Sequence, residues 1–129
     1  MIVVDTSVWV SALRSPRSPE APVLSALLDA DEVALPVPVR LELLAGVSIR
    51  DHDKLRRTLS ALPLAVPADE TWKTVERWIA RAVRAGQRFG LGDLVIGALA
   101  SDLGALVWSL DADFRRLQKL KLVELYEPR

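Results

Sequence analysis

Short apolar runs alternate along the chain with longer segments in which apolar residues recur every three or four positions. Residues 2–4, 33–35 and 105–109 have the length and composition of buried strands, and residues 63–66 and 122–126 are interpreted as weaker ones. Because strands and helices alternate, the pattern predicts an α/β fold. We expect a mostly parallel sheet of four to five strands, flanked by helices on both faces.

The helical segments are bounded by residues that favour helix starts and stops. Pro22 suits the first turn of a helix that runs to about Asp29, and Gly46 is placed to end another. The other predicted helices span residues 6–13, 38–45, 51–61, 69–85, 93–103 and 111–119. The longest of them has an apolar face at helical spacing, made of Val75, Trp78, Ile79, Ala82 and Val83.

Composition limits what such a chain can do. The 129 residues suit a single domain over residues 1–129, and half of them are apolar, which is ample for a core. Seventeen Lys and Arg residues balance seventeen Asp and Glu residues, which argues against binding nucleic acid by bulk charge. No cysteine is present and His52 is the single histidine, so thiolate chemistry and multi-histidine metal sites are excluded.

Nothing in the sequence indicates export or membrane insertion. The first residues carry no basic segment and meet a carboxylate at Asp5, unlike a signal peptide. The apolar run over residues 94–100 is far shorter than a membrane span. We therefore expect a cytoplasmic protein with no membrane partner.

Several acidic residues lie where ligands bind in α/β proteins. Asp5 follows the first strand, and Asp111 and Asp113 follow the strand over residues 105–109. Ligands of open α/β sheets gather outside the carboxyl ends of the strands, so Asp5 and Asp111 meet if their strands are neighbours. Asp93 opens a helix, and Glu42 lies inside one.

Each of these acids has a simpler explanation. Asp5, Asp93 and Asp111 are all placed to cap a helix. Glu42 stands between Leu41 and Leu43, which suggests an enclosed helix in which a carboxylate needs a partner.

If several of the acids converge, their repulsion requires a cation. Without histidine or cysteine ligands, a cluster of carboxylates indicates Mg²⁺ or Mn²⁺ and hence phosphoryl or phosphodiester chemistry with a metal-activated water.

Four segments in order resemble the successive motifs of the PIN domain, and in particular the toxin ribonucleases of bacterial VapBC toxin–antitoxin systems. They are residues 4–9 (VDTSVW), 41–46 (LELLAG), 92–100 (GDLVIGALA) and 109–114 (SLDADF). The resemblance spans nearly the whole chain and implies an endoribonuclease that uses Mg²⁺ or Mn²⁺. It implies catalytic and metal-binding roles for Asp5, Glu42, Asp93 and Asp111, a further metal ligand at Asp113, and supporting roles for Thr6 and Ser109.

One other class of protein remains as an alternative, and two more are disfavoured by the residues around Asp5. A non-catalytic PIN-like module would bind RNA or protein without cutting, and the intact set of acids counts against it. A phosphatase of the haloacid dehalogenase type needs a second Asp two residues after the first, where this chain has Ser7. A response-regulator receiver expects paired acids at its first strand, and only Asp5 is found there.

A row of cations follows helical spacing opposite the apolar face of the longest helix. It consists of Lys73, Arg77, Arg81, Arg84 and Arg88. A solvated helix face explains the row as well as a functional role does, and the two candidate roles are a track for RNA phosphates and a docking surface for an acidic partner. Arg115, just past Asp113, is a further candidate for binding RNA or an antitoxin.

The resemblance also implies partners: RNA as substrate, a cognate VapB-type antitoxin, and a homodimer that forms a heterotetramer or larger assembly with the antitoxin. From the pattern of apolar residues, we expect the surface for the antitoxin and the second copy to involve Trp9, Val10 and Leu13 together with the second helix, residues 21–28.

Overall fold

A computed structural model describes residues 1–128. In this range the strands are β1 (Ile2–Val4), β2 (Val33–Pro36), β3 (Leu64–Ala65) and β4 (Leu106–Trp108). The helices there are α1 (Thr6–Arg14), α2 (Glu20–Asp29), α3 (Val37–Gly46), α4 (His52–Ser60), α5 (Asp69–Arg84), α6 (Leu91–Leu103) and α7 (Ala112–Lys119). None of these helices is both long enough and apolar enough to cross a membrane.

The strands form a parallel sheet in the order β3-β2-β1-β4, which confirms the predicted α/β class. β1 and β4 are direct neighbours, with Val4 opposite Trp108 at the end of the register. The backbone N–H of Asp5 donates to the carbonyl of Trp108 at 2.9 Å and so extends this pairing by one residue. The segments that follow β1 and β4 therefore begin side by side at the carboxyl edge of the sheet.

The predicted strand over residues 122–126 is wrong in extent. This segment lies beside β4 but forms a single isolated bridge, between Val107 and Leu125. The N–H of Leu125 donates to the side-chain carbonyl of Gln118 at 2.9 Å, so the segment is tied partly to α7. The sheet therefore gains one bridge at this edge and not a full strand.

Helix α6 is enclosed by the core and carries one of the candidate acids at its start. All residues from Leu94 to Ala100 are buried, which explains why this helix is apolar on every side. A Cβ added to Gly97 would lie 3.0 Å from the Trp78 ring, so glycine at this position lets α5 pack closely against α6. The core thus fixes the axis of α6.

Two expectations about apolar residues are corrected. On α5, Ile79 and Val83 are 42% and 64% exposed, since the buried face of this helix is Thr71, Val75, Trp78 and Ala82. The predicted apolar face was therefore too wide on one side. On α1, Trp9 is only 2% exposed and belongs to the core, so it cannot form part of a partner surface.

Candidate active site

Asp5 is a buried carboxylate held by two serine hydroxyls. It sits at the junction of β1 and α1 and is 5% exposed. Its Oδ2 accepts hydrogen bonds from Ser7 at 2.8 Å and from Ser109 at 2.7 Å. Asp5 occupies the N-cap position of α1 without a capping hydrogen bond from its side chain, so helix capping does not explain it.

The two serines also tie the β4–α7 loop to the start of α1. The N–H of Leu110 donates to Ser7 Oγ at 3.0 Å, and the N–H of Asp111 donates to Ser109 Oγ at 2.9 Å. Sequence reasoning did not identify Ser7 as a site residue. The available signal was a hydroxyl two residues after a candidate acid, in the first turn of a helix.

Thr6 is placed differently from the two serines. Its Oγ1 is buried and makes no hydrogen bond within residues 1–128. The hydroxyl that holds Asp5 on this side is therefore that of Ser7. The supporting role expected of Thr6 stays a prediction.

Three acids form a compact group. Asp93, Asp111 and Asp113 each present an oxygen, and these oxygens lie within 4.8 Å of one another. Asp111 is the N-cap of α7, because its Oδ1 accepts from the N–H of Asp113 at 2.9 Å. Asp93 is the third residue of α6 and not its cap, since that helix begins at Leu91. The positive ends of two helix dipoles thus meet at this group, which favours negative charge there.

Glu42 approaches the group from α3. The argument that its helix is enclosed is wrong, because both Leu41 and Glu42 are exposed and the buried side of α3 is Val39 and Leu43. The Glu42 carboxylate nevertheless lies against the first turn of α6. A Cβ on Gly92 would stand 3.7 Å from Glu42 Oε1.

The electrostatics around Asp93 connect all the candidate acids. Partial burial, as the largest cause, together with the charges of four neighbouring carboxylates raises the pKa of Asp93 from 3.8 to about 6. In decreasing order of effect these are Asp5, Asp111, Asp113 and Glu42. The candidate acids therefore lie near enough to Asp93 to affect its charge, and their shared role as one site stays a prediction.

The donor set fits a hard divalent cation. Every candidate ligand is a carboxylate oxygen, the type that Mg²⁺, Mn²⁺ and Ca²⁺ prefer. The pKa of Asp93 is raised first by burial and then by neighbouring negative charges, and a bound cation would offset both effects. Residues 2–120 match the family model of the PIN domain. The chain belongs to the PIN domain family. This confirms the resemblance found in the sequence.

Curated relatives of this PIN domain are named as ribonucleases. Ribonuclease VapC11 of Mycobacterium tuberculosis is 34% identical over 119 residues, which cover 88% of this chain and 89% of the relative. Ribonuclease VapC18 of the same species is 35% identical over 120 residues, with 88% and 85% covered. In three dimensions, the VapBC2 crystal structure from Rickettsia felis, bound to a promoter DNA fragment, aligns with a TM-score of 0.81. That alignment covers 100% of both chains at 20% identity and shows a shared fold.

The basic residues predicted for this PIN domain lie outside the acid group. Arg77, Arg81 and Arg84 are exposed on α5, and Arg88 follows that helix in the loop before α6. Arg77 donates to Thr74 Oγ1 at 2.9 Å. Arg115, exposed on α7, pairs with Glu127 at 3.7 Å.

Proposed function

We propose that this PIN domain is an endoribonuclease that hydrolyses RNA phosphodiester bonds and acts as the toxin of a type II toxin–antitoxin system. The observation that carries the proposal is the gathering of Asp5, Glu42, Asp111 and Asp113 around Asp93. Its relatives at 34–35% identity are named as VapC ribonucleases, which supports the same activity. Hydrolysis by a carboxylate site needs neither a nucleophilic cysteine nor a histidine base, and this chain has no cysteine.

The proposed cofactor is Mg²⁺ or Mn²⁺. Asp93, Asp111 and Asp113 are the proposed ligands nearest one another, with Asp5 and Glu42 completing the site. When bound, such an ion lowers the pKa of water and stabilises the charge that develops on the leaving oxygen.

The protein's own part is to hold the carboxylates in place. Ser7 and Ser109 both donate to Oδ2 of Asp5, so we assign Oδ1 as the oxygen offered to the cation. Hydrogen bonds of this kind fix the rotamer of the carboxylate. Asp93 must lose its proton before it can act as a ligand, and its raised pKa sets the pH at which this happens.

Binding of RNA, or of an acidic segment of the antitoxin, is proposed for the exposed cations. Arg77, Arg81, Arg84 and Arg88 continue from α5 toward the start of α6, which carries Asp93, and Arg115 lies on α7 beside Asp113. Arginine forks bind phosphate or carboxylate in two-point contacts.

The proposed protein partners are a VapB-type antitoxin and a second copy of the chain, in a heterotetramer or larger assembly. Exposed apolar side chains are available for them. Val10 and Leu13 lie on α1, whereas Trp72, Ile79 and Val83 form a row on α5 between its buried face and its basic face. Apolar residues bordered by cations suit an amphipathic segment that carries acidic groups.

Cleavage of single-stranded RNA by the purified protein tests the activity. We expect cleavage with Mg²⁺ or Mn²⁺, none in excess EDTA, and none by Asp5→Asn. The matched control is Asp29→Asn, which neutralises an exposed carboxylate at the end of α2 and is expected to cut normally. Unchanged cleavage in EDTA would exclude the metal mechanism, and RNA binding without cleavage under all conditions would favour the non-catalytic module.

A further inference from the structure

The Arg116 side chain makes more polar contacts than any other cation discussed above. Its Nη1 donates to Gln87 Oε1 at 3.0 Å, and its Nη2 donates to the Arg88 carbonyl at 3.0 Å. Nη2 also pairs with Asp113 Oδ1 at 3.0 Å, and the guanidinium carbon lies 4.3 Å from the centre of the Phe89 ring. One side chain of α7 thus holds three consecutive residues of the α5–α6 loop and one of the site acids.

The loop that Arg116 holds leads directly into the helix of Asp93. Gly90 is the N-cap of α6, and Asp93 lies in the first turn of that helix. The core secures α6 only from Leu94 onward, because Gly90, Leu91 and Gly92 are exposed. Residues 90–92 therefore have few buried contacts of their own, and their position depends on the loop before them, which is held by Phe89 packed against the core and by Arg116.

We propose that Arg116 is a positioning residue that latches the α5–α6 loop to α7 and thereby sets the geometry between Asp93 and Asp113. Its guanidinium contacts the loop before α6 on one side and Asp113, in the first turn of α7, on the other. Because it binds Oδ1 of Asp113, Oδ2 of that carboxylate remains for a cation. The metal-related part of this inference rests on the proposed function.

Charge alone does not account for these contacts. A cation next to Asp113 opposes the binding of a second cation, so an Arg116 that acted only by its charge would weaken metal binding. The planar guanidinium of Arg116 instead donates to three acceptors while its face lies over the Phe89 ring. A lysine ammonium cannot reproduce this arrangement. Arg116→Lys therefore removes the latch and keeps the charge.

Titration of the metal-free protein with Mn²⁺, followed by the electron paramagnetic resonance signal of free Mn²⁺, tests the latch. We expect Arg116→Lys to raise the Kd for Mn²⁺ about tenfold, as for other groups that orient ligands. Gln87→Ala removes one of the three hydrogen bonds and is expected to give a smaller rise. Lys119→Gln, an exposed cation on the same helix, is the matched control and should bind like the wild type.

Amide hydrogen exchange of the metal-free proteins provides a second readout. Exchange over residues 87–92 should become faster in Arg116→Lys and Gln87→Ala and stay unchanged in Lys119→Gln. A Kd within twofold of wild type for Arg116→Lys, or unchanged exchange in that loop, would overturn the proposal. If the wild type binds no Mn²⁺, the proposed metal-dependent function fails, and the exchange data then decide the latch by themselves.

Discussion

Two carboxylates at the carboxyl edge of the sheet have opposite surroundings. Hydrogen bonds hold Asp5, whereas the surroundings of Asp93 disfavour its charged form. Asp5 is almost fully buried, and two serine hydroxyls donate to it. Asp93 is less buried, yet burial and four neighbouring acids raise its pKa to about 6. Asp5 is therefore a fixed point of the site, and Asp93 is the residue whose charge is most costly without a cation.

The raised pKa of Asp93 predicts how metal-free stability depends on pH. The folded state holds this proton up to about pH 6, whereas an unfolded chain releases it near 3.8, so the folded state binds more protons between these values. The free energy of unfolding should fall as pH rises through this window. Asp93→Asn should remove the penalty and stabilise the metal-free protein at pH 7 by about 1 kcal/mol, after discounting for partial exposure.

Urea unfolding of wild type and Asp93→Asn at pH 7 and pH 4 measures this effect. The gain should be present at pH 7 and absent at pH 4, where the wild-type carboxyl is already protonated. A loss of stability in Asp93→Asn at pH 7 would mean that the Asp93 carboxylate stabilises α6 and that its charge is not destabilised by the neighbouring acids.

Ser109→Ala tests whether the hydroxyls position Asp5. The change removes a donor to Asp5 Oδ2 and an acceptor for the N–H of Asp111. We expect RNA cleavage to fall about tenfold while stability falls by only about 1 kcal/mol. Ser101→Ala, at an exposed position of α6, is the control, and equal losses of activity in both variants would contradict the assignment.

Among individual residues, the sequence predicted the candidate acids better than the side chains that hydrogen-bond to them. An acid that directly follows an apolar strand is conspicuous, as for Asp5 and Asp111. A serine in the first turn of a helix, such as Ser7, has many ordinary explanations. Its contact with Asp5 is local, but its contact with Ser109 depends on β1 and β4 being neighbours, which the order of strands along the chain does not state.

Among the helices and strands, α5 carries three distinct faces around its circumference. Its buried face packs on α6, its cations are exposed, and a row of exposed apolar residues lies between them. The spacing predicted the buried and basic faces. It could not separate Ile79 and Val83 from the core, because an apolar residue at the border of a helix face is equally suited to the core or to a partner surface.

Charge reversal on α5 tests whether the basic row binds RNA. Arg81→Glu combined with Arg84→Glu should weaken RNA binding and lower the slope of log affinity against log salt concentration by about 1.4, as expected for two lost phosphate contacts on a single strand. Fluorescence anisotropy of a labelled RNA across several salt concentrations provides the measurement.

The same double reversal on α4, Arg56→Glu with Arg57→Glu, changes net charge equally at two other exposed positions. It should leave the salt slope close to wild type. Equal effects of the two double variants would indicate general electrostatic attraction to RNA. No effect of the α5 variant would mean that these cations are only solvated and do not contact RNA.

For the whole molecule, zero net charge conceals a separation of charges. Acids gather at the carboxyl edge of the sheet, and cations are exposed on α5. The apolar pattern along the chain was sufficient to predict the α/β class and the helices. It overestimated residues 122–126, which make a single bridge to β4 through the backbone of Val107, while the N–H of Leu125 donates to the Gln118 side chain.

Binding of a cation to the acid group should stabilise the entire fold, because a ligand that binds only the folded state shifts the unfolding equilibrium. With Mn²⁺ at about 100 times its Kd, we expect the Tm to rise by about 10 °C at pH 7. Asp93→Asn should lose most of this rise and Asp29→Asn should keep it. Equal shifts in both variants would place the bound ion elsewhere on the protein.

A crystal structure of the protein with Mn²⁺ shows whether the five acids form one metal centre. An anomalous difference map collected near the manganese edge shows the ion without reference to activity. We predict a peak bounded by Asp93, Asp111 and Asp113, with Asp5 and Glu42 at its border. A map with full Mn²⁺ in the crystal but no peak at this group, or a peak elsewhere, would contradict the account.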